Sequence, residues 1–162
     1  MGGVVMAAVV LAGMGVPGCG TARPVEGAAE GAAPADFSVS LSVYKAGEGR
    51  LPGWYVVGPE GQLRAVVGER RANTPLPPIV RQLDPTDRER LWGIVRDAGL
   101  LAREIPEGLV SGAEDASGAG ATATIAVSGQ GRRVTLVAAD EVGSLVALEA
   151  AMRELAWLSE GR

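Results

Sequence analysis

The chain has no histidine and a single cysteine. Without histidine, serine–histidine and cysteine–histidine nucleophilic catalysis are excluded, and the commonest transition-metal ligand is missing. One cysteine cannot close a disulfide within the chain, so a folded domain has to hold together by core packing. Aromatic residues make up only 4% of the chain, so each of them stands out as a core or binding candidate. The longest charge-free apolar run in the first twenty residues, Val4 to Met14, falls short of the roughly 20 residues needed to cross a bilayer. Nor is there a surplus of positive charge. The net charge is −4, the basic and acidic residues of 37–110 nearly balance, and 111–162 is mildly acidic. The electrostatic footprint of a nucleic-acid binder is absent, and no nucleic-acid partner is expected.

What is present begins at the amino terminus. The run Val4–Met14 is followed by Gly15-Val16-Pro17-Gly18-Cys19. A short apolar segment ending in small residues has the form of a secretory signal. The stretch resembles the bacterial lipoprotein signal, whose lipobox ends in Gly/Ala-Cys: Gly18 and Cys19 match its last two positions and Val16 the first aliphatic one. Pro17 in the second position, and the lack of Lys or Arg before Val4, depart from the pattern. The resemblance implies a signal peptide over 1–18, cleavage before Cys19, and acylation (diacylglycerol and palmitate-type chains) on that cysteine. It also implies a membrane-anchored lipoprotein of the bacterial cell envelope, facing the periplasm or the exterior, with the membrane and an envelope protein as partners. Met6 stands where N-myristoylation needs Ser or Thr.

Residues 19–36 are nearly all Gly, Ala, Pro, Glu and Thr and read as a flexible tether. From Phe37 to Arg162 the chain is long enough for one core and reads as a single domain. Phe37-Ser-Val-Ser-Leu-Ser-Val43 alternates apolar residues with serine, a strand with one wet face. Trp54–Val57 and Leu63–Val67 form a hairpin around Gly58-Pro59-Glu60-Gly61, which has Pro and Gly where a β-turn takes them. Residues 68–83, stiffened by Pro75, Pro77 and Pro78, read as a connector rather than a polyproline ligand. Asp84-Pro85-Thr86-Asp87 starts a helix; Leu91, Ile94, Val95 and Ala98 line its inner face and Gly99 ends it. Residues 102–120 read as a loop. Thr122–Ser128 and Arg133–Ala138 pair around Gly129-Gln130-Gly131, and a last helix begins near Ser144 with Leu145, Leu148, Met152, Leu155 and Leu158 inward. The expectation is a two-layer α+β fold, an antiparallel sheet of about five strands with two helices in the order β-ββ-α-ββ-α, which reads as a weakly repeated ββα unit.

Candidates for chemistry are few. Glu114-Asp115 lacks the alternating oxygens and terminal glutamate of a calcium loop, so no metal is expected. Gly118-Ala-Gly120 precedes a strand and lacks the third glycine of a dinucleotide fingerprint, and no other cofactor is implied. Asp140-Glu141 reads as a cap and dipole partner for the last helix. The pairs Arg70-Arg71 and Arg132-Arg133 read as solvated charge, or as contacts to anionic headgroups near an anchor. No catalytic residues are assigned, and an enzyme, which would have to run on carboxylates, is not expected. The binding candidates are Trp54 and Tyr55, adjacent in one strand and so pointing to opposite faces. Trp92 and Trp157 read as core-edge residues.

The layout from Phe37 onward is similar to the emfourin family, inhibitors of thermolysin-like metalloproteases. The similarity rests on the serine-interrupted strand, the Gly-rich loop at Ala46–Gly53, the Leu83-Asp-Pro-Thr-Asp87 helix entry, the hairpin with Gly131-Arg132-Arg133 and the leucine-rich final helix. It implies a small protease inhibitor acting through loops 44–53 and 102–120, and assigns no inhibitory residue. Two readings therefore stand: a non-enzymatic binding or structural lipoprotein, and a protease inhibitor.

Overall fold

The computed structural model describes residues 31–45, 51–68, 76–112 and 121–156. Strict alternation in the first strand sets the architecture. Strand β1 (Ser38–Val43) is central. It pairs antiparallel with β2 (Gly53–Val57) on one side and with β6 (Ala123–Gly129) on the other. The sheet extends through β3 (Gln62–Val67) to β4 (Ile79–Gln82) at one edge. At the other it extends through β7 (Arg132–Ala138) to β5 (Leu109–Ser111). The spatial order is β4-β3-β2-β1-β6-β7-β5, antiparallel throughout. Helices α1 (Pro85–Asp97) and α2 (Gly143–Leu155) pack against each other and the sheet.

The register lines apolar residues into rows across one face. Leu41 stands beside Tyr55 and Ile125, Tyr55 beside Ala65, and Ile125 beside Leu136. Val39, Val57, Leu63 and Val127 make a parallel row. All of these are buried, together with Leu91, Trp92 and Val95 of α1 and Leu145, Leu148, Met152 and Leu155 of α2. The α+β class, the antiparallel sheet and the two helices agree with the sequence.

The strand count and element order do not. Among the described residues there are seven strands rather than about five, in the order ββββ-α-βββ-α. The two extra strands, β4 and β5, lie in the segments read as the connector 68–83 and the loop 102–120. Both are short edge strands with little alternation, and of their residues only Leu109 is buried. The neighbouring ladder, not their own propensity, draws them into the sheet. Nor do the described residues form a repeated ββα unit. The first four strands run as a meander, whereas β5 docks outside β7 rather than beside its sequence neighbour β6.

Local signals explain the element ends. Asp84 caps α1 by accepting from the Asp87 backbone N–H at 2.8 Å, with Pro85 at the first helical position. The helix stops in a Schellman turn: Gly99, at φ +65°, donates to the Arg96 carbonyl and Leu100 to that of Val95. Helix α2 starts differently from the sequence expectation. Its N-cap is Val142, without a side-chain bond, so neither Asp140 nor Glu141 caps it. The β6–β7 turn puts Gln130 at φ +54° and Gly131 at φ +71°, the primed geometry that suits a two-residue hairpin. The Asp36 carboxylate accepts from both of their backbone N–H groups, at 3.0 and 2.7 Å. The last residues of the expected tether thus lie against the domain, and the Pro34 carbonyl accepts from Phe37 and Arg88.

Trp92 is buried rather than at the core edge. Its ring meets Phe37 edge-on, with centroids 5.4 Å apart, and lies over Gly129, where a Cβ would stand 3.0 Å from the indole and 3.3 Å from Leu101. Gly129→Ala should therefore cost about 1–3 kcal/mol through overpacking, read as a lower urea midpoint with an unchanged slope. A wild-type midpoint would contradict the packing of Trp92 on that glycine.

Candidate functional site

The helices cover one face of the sheet, and the opposite face is built from the other half of each alternation. Ser42 of β1 stands between Trp54 of β2 and Thr124 of β6, and Trp54 in turn faces Val66 of β3. One row along, Ser40 stands between Val56 and Ala126, and Ala126 faces Thr135 of β7. The period of two that makes the core also makes this second surface of hydroxyls, small residues and one tryptophan.

Two recesses border Trp54, the second reaching round the end of β1 and β2 to residues of the core face. One, of ≈ 250 Å³, is lined by Ser40, Thr124, Ala126, Arg133 and Thr135. The other, of ≈ 310 Å³, is lined by Val43, Pro52, Gly53, Val66 and Gly68. Ser42, Tyr44 and Trp54 border both, forming a ridge between them. The Trp54 indole N–H donates to the Ser40 hydroxyl at 3.2 Å, which fixes the ring, and only 8% of the residue is exposed. Among the described residues, Thr124 Oγ1 is a buried hydroxyl with no hydrogen-bond partner.

Tyr55 points the other way, into the core, and is fully buried. Its ring crosses Gly53, where a Cβ would come within 2.7 Å of it. Its hydroxyl accepts from Arg153 Nε at 3.2 Å, and Arg153 also donates to the Leu51 carbonyl and to Glu149 at 2.6 Å. Glu149 is 3% exposed. Its carboxylate is paired one helical turn from Arg153, which a buried charge requires. A small cavity of ≈ 30 Å³ lies beside Glu149, bordered by Lys45, Thr122, Asp140 and Glu141, room for about one water.

Of the residues singled out from sequence, Trp54 and Tyr55 therefore lie on opposite faces, Trp54 on the ridge and Tyr55 in the core. Arg133 joins the groove, while its neighbour Arg132 donates to the Leu101 and Ala102 carbonyls. Cys19, Arg70, Arg71, Glu114, Asp115 and Trp157 lie outside the described residues, as do 46–50 and 113–120 of the loops to which the emfourin resemblance pointed. Sequence reasoning did not pick out Ser40, Ser42, Thr124, Thr135 or Tyr44 as a group. The serine alternation was visible, but their convergence depends on the β1–β6 register, which only pairing reveals. The buried Glu149–Arg153 pair was equally missed, although its spacing of four was there to be read. Among the described residues, no group of three or more His, Cys, Asp or Glu is placed to hold a metal ion, and no helix is long and apolar enough to cross a membrane. No protein-family model, curated protein or solved structure matches the chain.

Burial pushes the Tyr55 hydroxyl above the ordinary tyrosine range, and the Arg153 hydrogen bond and charge only partly offset it. The raised value favours the protonated form in the folded state. The resulting stability is present below the unfolded tyrosine pKa near 10 and is lost as pH rises through the folded value. Ultraviolet titration should show a tyrosinate component above the ordinary range that disappears in Tyr55→Phe. Persistence of that component in the variant would refute the assignment.

Proposed function

We propose that this chain is a lipoprotein of the bacterial cell envelope, acylated on Cys19. In this reading the α+β domain is a non-enzymatic binding module that works through the open sheet face around Trp54. The sequence Val16-Pro17-Gly18-Cys19 supports the anchor, and the absence of histidine supports binding over nucleophilic chemistry. The observation that carries the binding half is the ridge of Trp54, Tyr44 and Ser42 between two recesses. Both recesses share these three residues, so a ligand spanning them would cross Ser42, Tyr44 and the exposed edge of Trp54. The described residues lining the two recesses include hydroxyls and a guanidinium but no carboxylate, which disfavours a carboxylate-run reaction in the groove.

Replacing Cys19 with alanine tests the anchor. The variant should leave the membrane fraction for the soluble one, or accumulate as unprocessed precursor. Intact-mass analysis of membrane-extracted wild type should find a chain that starts at Cys19 and carries diacylglycerol. A Cys19→Ala protein that fractionates like wild type would rule out lipid anchoring.

A further inference from the structure

Helices cover the sheet on one side only, and charge divides between the two sides. Among the described residues, none of the seven strands contains Asp or Glu. Their cations are all arginines. Arg81 turns to the helix side, where it pairs with Asp87 and donates to the Leu155 carbonyl. Arg132 donates to the carbonyls of Leu101 and Ala102, just after α1. Arg64 and Arg133 belong to the open face. Arg64 stands between Val56 and Ile79 and donates to two neutral groups, the Pro77 carbonyl and the Gln62 side chain. Arg133 is exposed beside Ser128. In a chain of net charge −4, the described part of this face is a carboxylate-free surface of hydroxyls, apolar residues and arginine. We propose that the open face is the side turned toward the membrane, where it contacts anionic phospholipid headgroups. The proposal rests on the reading of the chain as anchored through Cys19, and it names the partner of the open face.

Magnitudes favour this partner. An arginine close to an anionic surface shifts binding roughly fivefold, and two shift it about 30-fold. That is far too little to capture a partner from dilute solution, but an anchored domain needs only to be turned. Residues 19–30 lie between the cysteine and the first described residue, and a chain of that length reaches at most about 40 Å. The headgroups are therefore always within range, and the tether sets their effective concentration. Their phosphate oxygens accept from guanidinium and hydroxyl alike, as Arg133 beside Ser128 offers. Other occupants fit less well. A second copy of this face would bring arginine against arginine with no carboxylate to meet it. An added strand needs a free edge, and β4 and β5 are blunt ones, four and three residues long, with Pro77 and Pro78 ahead of β4.

The test reads which side of the anchored domain is shielded. The acylated full chain is extracted from membranes and reconstituted in phosphatidylcholine vesicles with or without phosphatidylglycerol. With Cys19 acylated, a cysteine introduced by Thr135→Cys on the open face, or by Glu89→Cys on the exposed side of α1, is the sole thiol and takes a spin label. Collision of each label with a water-soluble nickel complex is then measured. Phosphatidylglycerol should lower the accessibility of the label at 135 several-fold and leave the label at 89 unchanged. Salt at about 0.5 M should reverse the effect by screening. Adding Arg64→Gln and Arg133→Gln to the Thr135→Cys chain should abolish it, and adding Arg133→Gln alone, at an exposed position, should remove part of it. Four outcomes overturn the proposal: equal accessibility with and without phosphatidylglycerol, shielding at 89 instead, shielding at 135 already in detergent micelles, which would make the face an interface between copies, or shielding that survives both arginine substitutions. A wild-type chain that takes up label at Cys19, or does not float with the vesicles, removes the anchor itself and the proposal with it, and is distinguishable from all four.

Discussion

The structure depends on the alternation of β1. Because side chains in a strand change face at every residue, a slip of one position would carry Ser38, Ser40 and Ser42 into the core and expel Val39, Leu41 and Val43. β1 is flanked on both sides, so its register is imposed on β2 and β6 together, and through them on β3 and β7. The slip would desolvate three hydroxyls and expose three large apolar side chains. Each buried apolar side chain contributes about 1.5–3 kcal/mol, so the correct register is favoured by a margin comparable to the stability of a whole domain. The two faces therefore have one cause. The constraint that fills the core also assembles the hydroxyl-lined surface opposite.

Within that frame, the one buried charged residue among the described core, Glu149, is paired. Glu149 sits on the inward face of α2 among leucines, and its cost is offset by Arg153 at 2.6 Å, which also reaches Tyr55 and the Leu51 carbonyl. Such networks add little net stability over an apolar core, but they demand specific geometry. This one requires glycine at position 53, because the Tyr55 ring lies across it, and it ties the end of α2 to β2 and to the chain entering β2. The link fixes how the helix lies over the sheet, which bulk hydrophobicity alone would leave loose.

Most of the central fold was legible in the sequence because its signals are local. The Phe37–Val43 alternation, the Gly58–Gly61 turn, the Asp84-Pro85 helix start and the Gly99 stop each act within a few residues. The edge strands were not legible. Ile79–Gln82 and Leu109–Ser111 have short, mixed patterns, and a neighbouring strand makes them sheet. Asp140-Glu141 misled for a related reason: acidic residues before a helix usually cap it, but here they border the cavity beside Glu149 and leave Val142 as the cap. The candidate site was half legible. Trp54 was apparent as a scarce aromatic in a strand, whereas Ser40, Ser42, Thr124 and Thr135 converge only through the pairing of β1, β2, β6 and β7.

The Asp36 clamp on the β6–β7 turn has a mechanical consequence. The chain before Gly31 joins the domain where Pro34 and Asp36 are bonded to Phe37, Arg88, Gln130 and Gly131, directly ahead of the central strand. A tensile load arriving from that side does not reach an edge strand that could peel away bond by bond. It enters β1, whose ladders to β2 and β6 share the force along their length, so many hydrogen bonds would have to yield together. A load from that side would therefore meet a strand paired on both flanks before any edge strand.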